Sequence, residues 1–331
     1  MEHTLTTDYF SHLIGQKKLK AQLGFYLQSF RVTQVLPHCL IVGQRGSGKT
    51  EFAVSLARNL RHPALEFKPK PLLTVNCATV KSVRQFVEDI CLKYIQSQNV
   101  SVLFDECHEL PGPVQTAFLT ILNPNKRNFN RFRYEDSEIE FDFTKVSFIF
   151  ATTDPQKLAG PFKDRCRMLH MDDYEYDELA SIVKANLDNE MEITDETIDL
   201  VSSVCRGNAR NAVLIAKDNI VQYLKATSKN VLGLDEWRDL CGILGILPLG
   251  LESSELIILK SLAESPNGCS LTNLAAKTGF TRAAIMAEYE SYLSKRGLIE
   301  IKPGGRHLTP KGAQYLKDIG HCINYAMPEK V

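Results

Sequence analysis

The stretch that decides the fold is "HCLIVGQRGSGKT" (38–50). Cys39 to Val42 is a short apolar run of strand character, and the residues after Thr50 carry helical spacing. Between them lies G-x-x-x-x-G-K-T, in the strand–loop–helix context that gives this motif its meaning. Glycines let successive backbone N–H groups curl around phosphate oxygens, and the helix N-terminus adds favourable partial charge. Gly43, Gly46, Ser47 and Gly48 therefore form a phosphate loop, with Glu51 following in the first helical turn. Lys49 is suited to reach the β and γ phosphates, and the Thr50 hydroxyl to ligate Mg²⁺. The expected cofactors are ATP and Mg²⁺.

Working outward, "LLTVNC" (72–77), "SVLFDE" (101–106) and "VSFIFATT" (146–153) read as further buried strands. Helices are predicted at 49–60, 80–97, 112–122 and near 156–164, so strands and helices alternate as in a parallel α/β sheet. "VLFDEC" delivers two acids at a strand end: Asp105 to hold the magnesium shell, Glu106 to polarise the attacking water. An acid pair at this place favours ATP hydrolysis over a GTP switch.

"ATTDPQKLAGPFKDRC" (151–166) adds two more parts. Thr153, at the end of a strand, can orient the same water. Arg165 is the kind of group that stabilises charge on a transferred phosphoryl, and it can come from a neighbouring subunit. An arginine far from its own phosphate site implies a head-to-tail ring, because only a heterologous interface presents each arginine to the next site.

From residue 175 the pattern changes. "EYDELASIVKANL", "TDETIDLVSSVC" and "NARNAVLIAKDNIVQYL" all have helical spacing with no strand between them, which predicts a small all-helical unit. Arg210 lies near the start of one of these helices, where it could reach a phosphate. A Gly- and Pro-punctuated joint, "GILGILPLG" (242–250), closes the unit. The remainder reads as three helices and a hairpin around "PGG" (303–305), a winged-helix pattern, with helix–turn–helix spacing over 271–285 and a second helix opened by Thr281.

The chain has 39 basic and 39 acidic residues, so any nucleic-acid signal must be local. It is: Lys295, Arg296, Lys302, Arg306, Lys311 and Lys317 face only Glu300, a net of +5 between 295 and 317. Basic side chains on a wing suit sequence-independent contact with the phosphates of duplex DNA. Nine scattered cysteines without a Cys-x-x-Cys pair suggest reduced thiols in a cytoplasmic protein. No apolar run approaches the roughly 20 residues that cross a bilayer, so no membrane is expected.

With these parts in order the chain resembles the AAA+ ATPases, and among them the RuvB family of Holliday-junction branch-migration motors. The resemblance runs along nearly the whole chain, through "HLIGQ" (12–16), "VLFDECHEL" (102–110), "ATTDPQKLAGPFKDRC", "YEYDELA" (174–180), "RGNAR" (206–210) and "ILGILPLGLESSE" (243–255). It implies Ile14 near the nucleotide, Tyr174 beside the adenine, Arg210 as the lid's nucleotide sensor and Arg306 at the wing tip as a DNA contact. It implies a motor architecture of three domains: an AAA+ large ATPase domain (1–172), a helical lid (173–242) and a winged-helix DNA-binding domain (243–331). The implied activity is ATP-driven movement of four-way-junction or duplex DNA by a hexameric ring. Two departures stand out. The loop ending in Asp-Arg-Cys is closer to the clamp loaders. The predicted hairpin 128–145 also has an acidic, short tip, "EDSE" (135–138), where the family docks its junction-binding partner RuvA with a longer apolar one. The competing readings are a clamp-loader or helicase-loader-like remodeller and a winged-helix transcription factor with a vestigial ATPase. The basic wing speaks against the former and the intact ATPase residues against the latter.

Overall fold

The computed structural model describes residues 9–123, 129–134 and 137–326. Its strands are β1 (Cys39–Val42), β2 (Leu72–Asn76), β3 (Ser101–Asp105), β4 (Phe129–Tyr134), β5 (Ser137–Asp142), β6 (Ser147–Thr152), β7 (Arg167–His170), β8 (Glu192–Ile193), β9 (Val231–Leu232), β10 (Ile299–Lys302) and β11 (Gly305–Leu308). The chain divides into two compact units, residues up to 178 with 208–210, and 179–207 with the residues from 211 onward.

The first unit is built on a five-stranded sheet in the order β2-β3-β6-β1-β7, with every described pairing parallel. Parallel strands all end at one edge, so the loops after β1, β3 and β6 emerge side by side, where α/β sheets bind their ligands. Both faces are covered, as a parallel sheet requires. Phe104, Phe148 and Phe150 pack on one face with Phe86, Phe118 and Phe162. Leu103, Ile149 and Ile41 point to the other, against Leu23, Phe52 and Leu56. The alternation Val102, Leu103, Phe104 between the two clusters is the period-2 pattern of a strand. Burying each such phenylalanine contributes about 2–3 kcal/mol.

The four predicted strands and the helices Lys49–Asn59, 83–95 and Gly112–Ile121 are present. Two elements of this unit have no counterpart in the sequence reading. Helix Lys17–Thr33 buries Leu19, Leu23, Leu27 and Phe30, a helical spacing in plain letters. The fifth strand, β7, buries only Leu169 among its four residues, so there was no apolar run to read. Backbone pairing with β1 makes it a strand. The predicted hairpin forms as β4 and β5 in register from Phe129↔Asp142 to Tyr134↔Ser137. Residues 135–136 of its acidic tip lie outside the described residues.

In the second unit, helices Asp195–Val204, 209–227 and Leu234–Leu244 carry the lid. It is not purely helical: β8 and β9 form a parallel pair, Glu192↔Val231 and Ile193↔Leu232. Two residues are too few for a strand period to register, and the pair exists because Ile193 and Leu232 are buried. The winged helix follows as helices Ser253–Ala263, Leu271–Thr278 and 282–295, then β10 and β11. Its turn is set by local chemistry. Gly279 takes φ +76° after Leu271–Thr278, and the Thr281 hydroxyl accepts from Ala284 N at 3.1 Å, capping the second helix. A further helix, Pro310–Ala326, succeeds the hairpin, beyond the three helices and hairpin that the sequence predicts. Its Tyr315 and Ile319 join the core formed by Leu259, Leu274, Leu293 and Leu298. Among the described residues no single helix is long and apolar enough to cross a membrane.

Candidate nucleotide site and winged helix

The loop after β1 turns through left-handed glycines, Gly46 at φ +80° and Gly48 at φ +95°. Lys49 opens its helix and is buried, with Nζ donating to Gln44 O at 3.0 Å. Burial lowers its pKa, while Glu106 and Asp105 counter that effect. The Thr50 hydroxyl donates to Asp105 Oδ2 at 2.9 Å, and Asp105 Oδ1 accepts from Glu106 N at 3.0 Å. A hydroxyl and a carboxylate in contact form the hard oxygen pair that Mg²⁺ prefers. The residues present fit that ion.

Glu106 has φ +51°, uncommon for a side chain of its kind, and the strain is accepted where the chain turns out of β3. Two groups meet its carboxylate. Thr153 Oγ1 donates to Oε2 at 3.2 Å, and His108 Nδ1 lies 3.4 Å from the same oxygen. His108 is also 3.0 Å from Thr152 Oγ1 and, through Nε2, 3.1 Å from Glu109 Oε1. Sequence reasoning passed over His108, although "DECHEL" places it two residues beyond Glu106. The adjoining thiols are inert, since burial pushes Cys107 upward and Cys166 up to about 12.

Residues 208–210 lie on the phosphate loop. Arg210 N donates to Gly46 O at 3.0 Å, and Asn208 Nδ2 to Arg45 O at 2.7 Å. A Cβ on Gly46 would come within 2.4 Å of Asn208 Oδ1, so this glycine is needed for close approach as well as for its φ. Asn208 is a second residue the sequence reading left unnamed. Tyr174 Oη donates to Ser47 O at 3.0 Å and is pushed up to about 12, by burial first and by Glu178 next. Met171 closes on Gly43, where a Cβ would meet its own Cβ at 2.9 Å. Ile14 is half-buried, and its neighbour Gln16 is tied to the same segment: Nε2 donates to Asp172 O at 2.7 Å and Oε1 accepts from Asp172 N at 3.1 Å. Glu51 is exposed.

The fold thus brings Gly43–Thr50, Asp105, Glu106, Thr153, Tyr174 and Arg210 to one edge. Arg165 is engaged elsewhere. It caps helix Gly160–Asp164, with Nε donating to Leu119 O at 3.0 Å and a terminal nitrogen to Pro161 O at 2.8 Å.

In the winged helix one expectation changes. Lys302 pairs across the ribbon with Gly305, so only Pro303 and Gly304 turn, and Arg306 lies behind the tip. Its guanidinium is held by Glu290, Nε to Oε1 at 2.9 Å and Nη2 to Oε2 at 3.1 Å, with side chains only 15% and 9% exposed. Its backbone exchanges both hydrogen bonds with Cys269. Arg306 therefore anchors the wing to helix 282–295 and is not displayed at the tip. The other basic residues lie around it. Lys311 Nζ donates to Arg296 O, Arg296 Nε to Tyr292 Oη, and Lys302 pairs with Glu300. Burial, with Arg296 nearby, lowers the pKa of Lys295.

Residues 39–172 match the ATPase family associated with various cellular activities (AAA), and residues 248–317 match the RuvB C-terminal winged helix domain. The chain is 27% identical to the Holliday junction branch migration complex subunit RuvB of Thermotoga maritima over 324 residues, 96% of this chain and 91% of that protein. It is 28% identical to the subunit of the same name from Phytoplasma mali, over 93% of this chain and 91% of that one. In three dimensions it resembles the Thermotoga maritima RuvB branch migration motor with a TM-score of 0.74 at 23% identity, covering 95% and 98% of the two chains. It resembles the Aeropyrum pernix ORC2 protein less, at 0.56 and 15%. The structural likenesses speak for the fold alone.

Proposed function

Taking as premise that this chain is a divergent homologue of the RuvB subunits, an AAA ATPase ending in a RuvB-type winged helix, we propose that it is an ATP-driven motor that moves Holliday junctions along duplex DNA in recombination and repair. One observation carries the reading: the Thr50–Asp105 contact, with Glu106 held by Thr153, stands in the same chain as the winged helix.

In the proposed reaction the backbone N–H groups of residues 46–50 cradle the phosphates. Lys49 exchanges Gln44 O for phosphate oxygens. Thr50 and Asp105 would hold Mg²⁺, which supplies charge neutralisation on the β and γ phosphates. Glu106 takes the proton of the attacking water, and Thr153 keeps its carboxylate aimed. Arg165 completes the neighbouring subunit's site in a hexameric ring, and Arg210 couples nucleotide state to the lid. The working domains are 1–172, 173–242 and 243–331. Lys295, Arg296, Lys302 and Lys311 meet DNA phosphates, with Arg306 positioning the wing. The motor works in the cytoplasm. Because the hairpin tip reads as acidic, the same assay with and without a RuvA-like junction-binding protein decides whether such a partner is needed.

The deciding experiment measures ATP turnover with linear duplex, a four-way junction and no DNA, followed by junction dissociation. Stimulation by junction and its dissociation support the motor. Stimulation by a ring-shaped protein, with no response to DNA, would transfer the chain to the loader class.

A further inference from the structure

The joint 243–255 is punctuated in sequence by Gly245, Pro248 and Gly250. The structure clasps it from both sides. Arg206, four residues before Arg210, donates to Glu255 through both terminal nitrogens, at 2.9 and 2.8 Å. One of them also reaches Gly250 O at 3.2 Å, and the guanidinium carbon lies 3.8 Å over the Tyr292 ring. The Glu255 side chain is 1% exposed and is fixed further by accepting from Glu252 N at 2.9 Å. From the winged helix, Tyr292 Oη donates to Leu249 O, and Tyr315 Oη to Pro248 O at 2.6 Å. From the lid, a Cβ on Gly250 would stand 2.3 Å from Val204 O.

Arg206 itself takes φ +60°, a conformation side chains rarely adopt. Beside the joint lies a cavity of about 380 Å³ lined by Val204, Arg206, Leu214, Ile215, Ile246 and Glu252. Space on that side removes packing contacts that would otherwise hold the two parts together. The ion pair takes over that task. Two forked hydrogen bonds and a ring beneath admit one geometry, and separating the pair would leave a buried carboxylate without its counter-charge.

We propose that Arg206 and Glu255 form a clasp that joins the lid and the winged helix into one lever, so that the lid's response to nucleotide moves the DNA-binding module. This rests on the motor reading. Arg206 is a positioning residue: its guanidinium bonds lie within the lid–wing joint and act through Glu255.

The test uses the full chain, with spin labels on helices Asp195–Val204 and Leu271–Thr278 carried by non-natural side chains, since the chain holds nine cysteines. Pulsed EPR in ADP and in a non-hydrolysable ATP analogue should return one narrow lid–wing distance, the same in both. A distance that changes with nucleotide overturns the proposal. Arg206→Gln and Glu255→Gln should broaden that distance and keep DNA-free ATP turnover within about twofold. Junction movement per ATP should fall at least tenfold. The exchange Arg206→Glu with Glu255→Arg should narrow the distance and restore movement. Single variants that keep both the narrow distance and full movement also overturn it. The distance needs no DNA, so a rigid lever in a chain inert toward junctions would sink the motor reading and leave the clasp standing.

Discussion

Thr153 donates its hydroxyl to Glu106 across 3.2 Å, joining the end of β6 to the residue after β3. With His108 on the same oxygen, the carboxylate is held from two directions. Thr153→Val should lower kcat about 10- to 100-fold with little change in KM, because an aimed base matters in the transition state more than in binding. His108→Ala should have a milder effect in the same direction. Steady-state ATP turnover checks both, and an unchanged kcat in Thr153→Val would remove Thr153 from the site.

Binding and hydrolysis should separate cleanly. Lys49→Ala should lose nucleotide binding, read by titration with a fluorescent ATP analogue. Glu106→Gln should bind as well as the parent chain and hydrolyse about 10²–10⁴-fold more slowly. A weak-binding Glu106→Gln would mean that the carboxylate is structural.

Arg165→Ala should bind ATP normally and lose about 10³-fold or more in turnover. Mixing it with Lys49→Ala should recover part of the activity. Subunits unable to bind ATP still lend their arginine to the next site. No recovery from any mixing ratio would argue against an arginine supplied in trans.

The two wing residues should behave differently. Lys302→Ala should weaken DNA binding alike across sequences and reduce the salt slope by about 0.9. Arg306→Ala should instead destabilise the wing, by on the order of 3 kcal/mol, because Glu290 is left buried without its partner. Denaturant melts and salt-dependent binding isotherms distinguish them. A stable Arg306→Ala with a reduced salt slope would restore Arg306 to direct DNA contact.

Lys70 offers a pH test. It is 4% exposed, donates to Lys145 O at 2.6 Å and Ser147 Oγ at 2.8 Å, and burial pushes its pKa down to about 8. A lysine with a folded value below its unfolded one costs stability while charged. That cost is complete below pH 8 and vanishes above the unfolded value near 10.4. Stability should therefore rise by about 2 kcal/mol between pH 7 and 9.5, relative to Lys70→Met. Parallel pH profiles of the two chains would disprove it.

What the sequence determined by itself is the chemistry that depends on local spacing. The phosphate loop, the acid pair after β3, Thr153 after β6 and the cap at Thr281 each need only a few consecutive residues in a strand, loop or helix. Their letters state both the element and the side chain. The tertiary structure decided what depends on partners distant in the chain. β7 is a strand because β1 pairs with it, not because of its own apolar content. His108 and Asn208 matter because the sheet edge and the loop bring Glu106 and Arg45 to them. Arg306 looked like a displayed charge until Glu290, sixteen residues earlier, took its guanidinium. Arg206, unremarked beside Arg210, found Glu255 forty-nine residues away. A charged side chain reads alike in sequence whether it meets water, DNA or a buried carboxylate. Only the fold supplies the partner, and burial then makes that pairing hard to break.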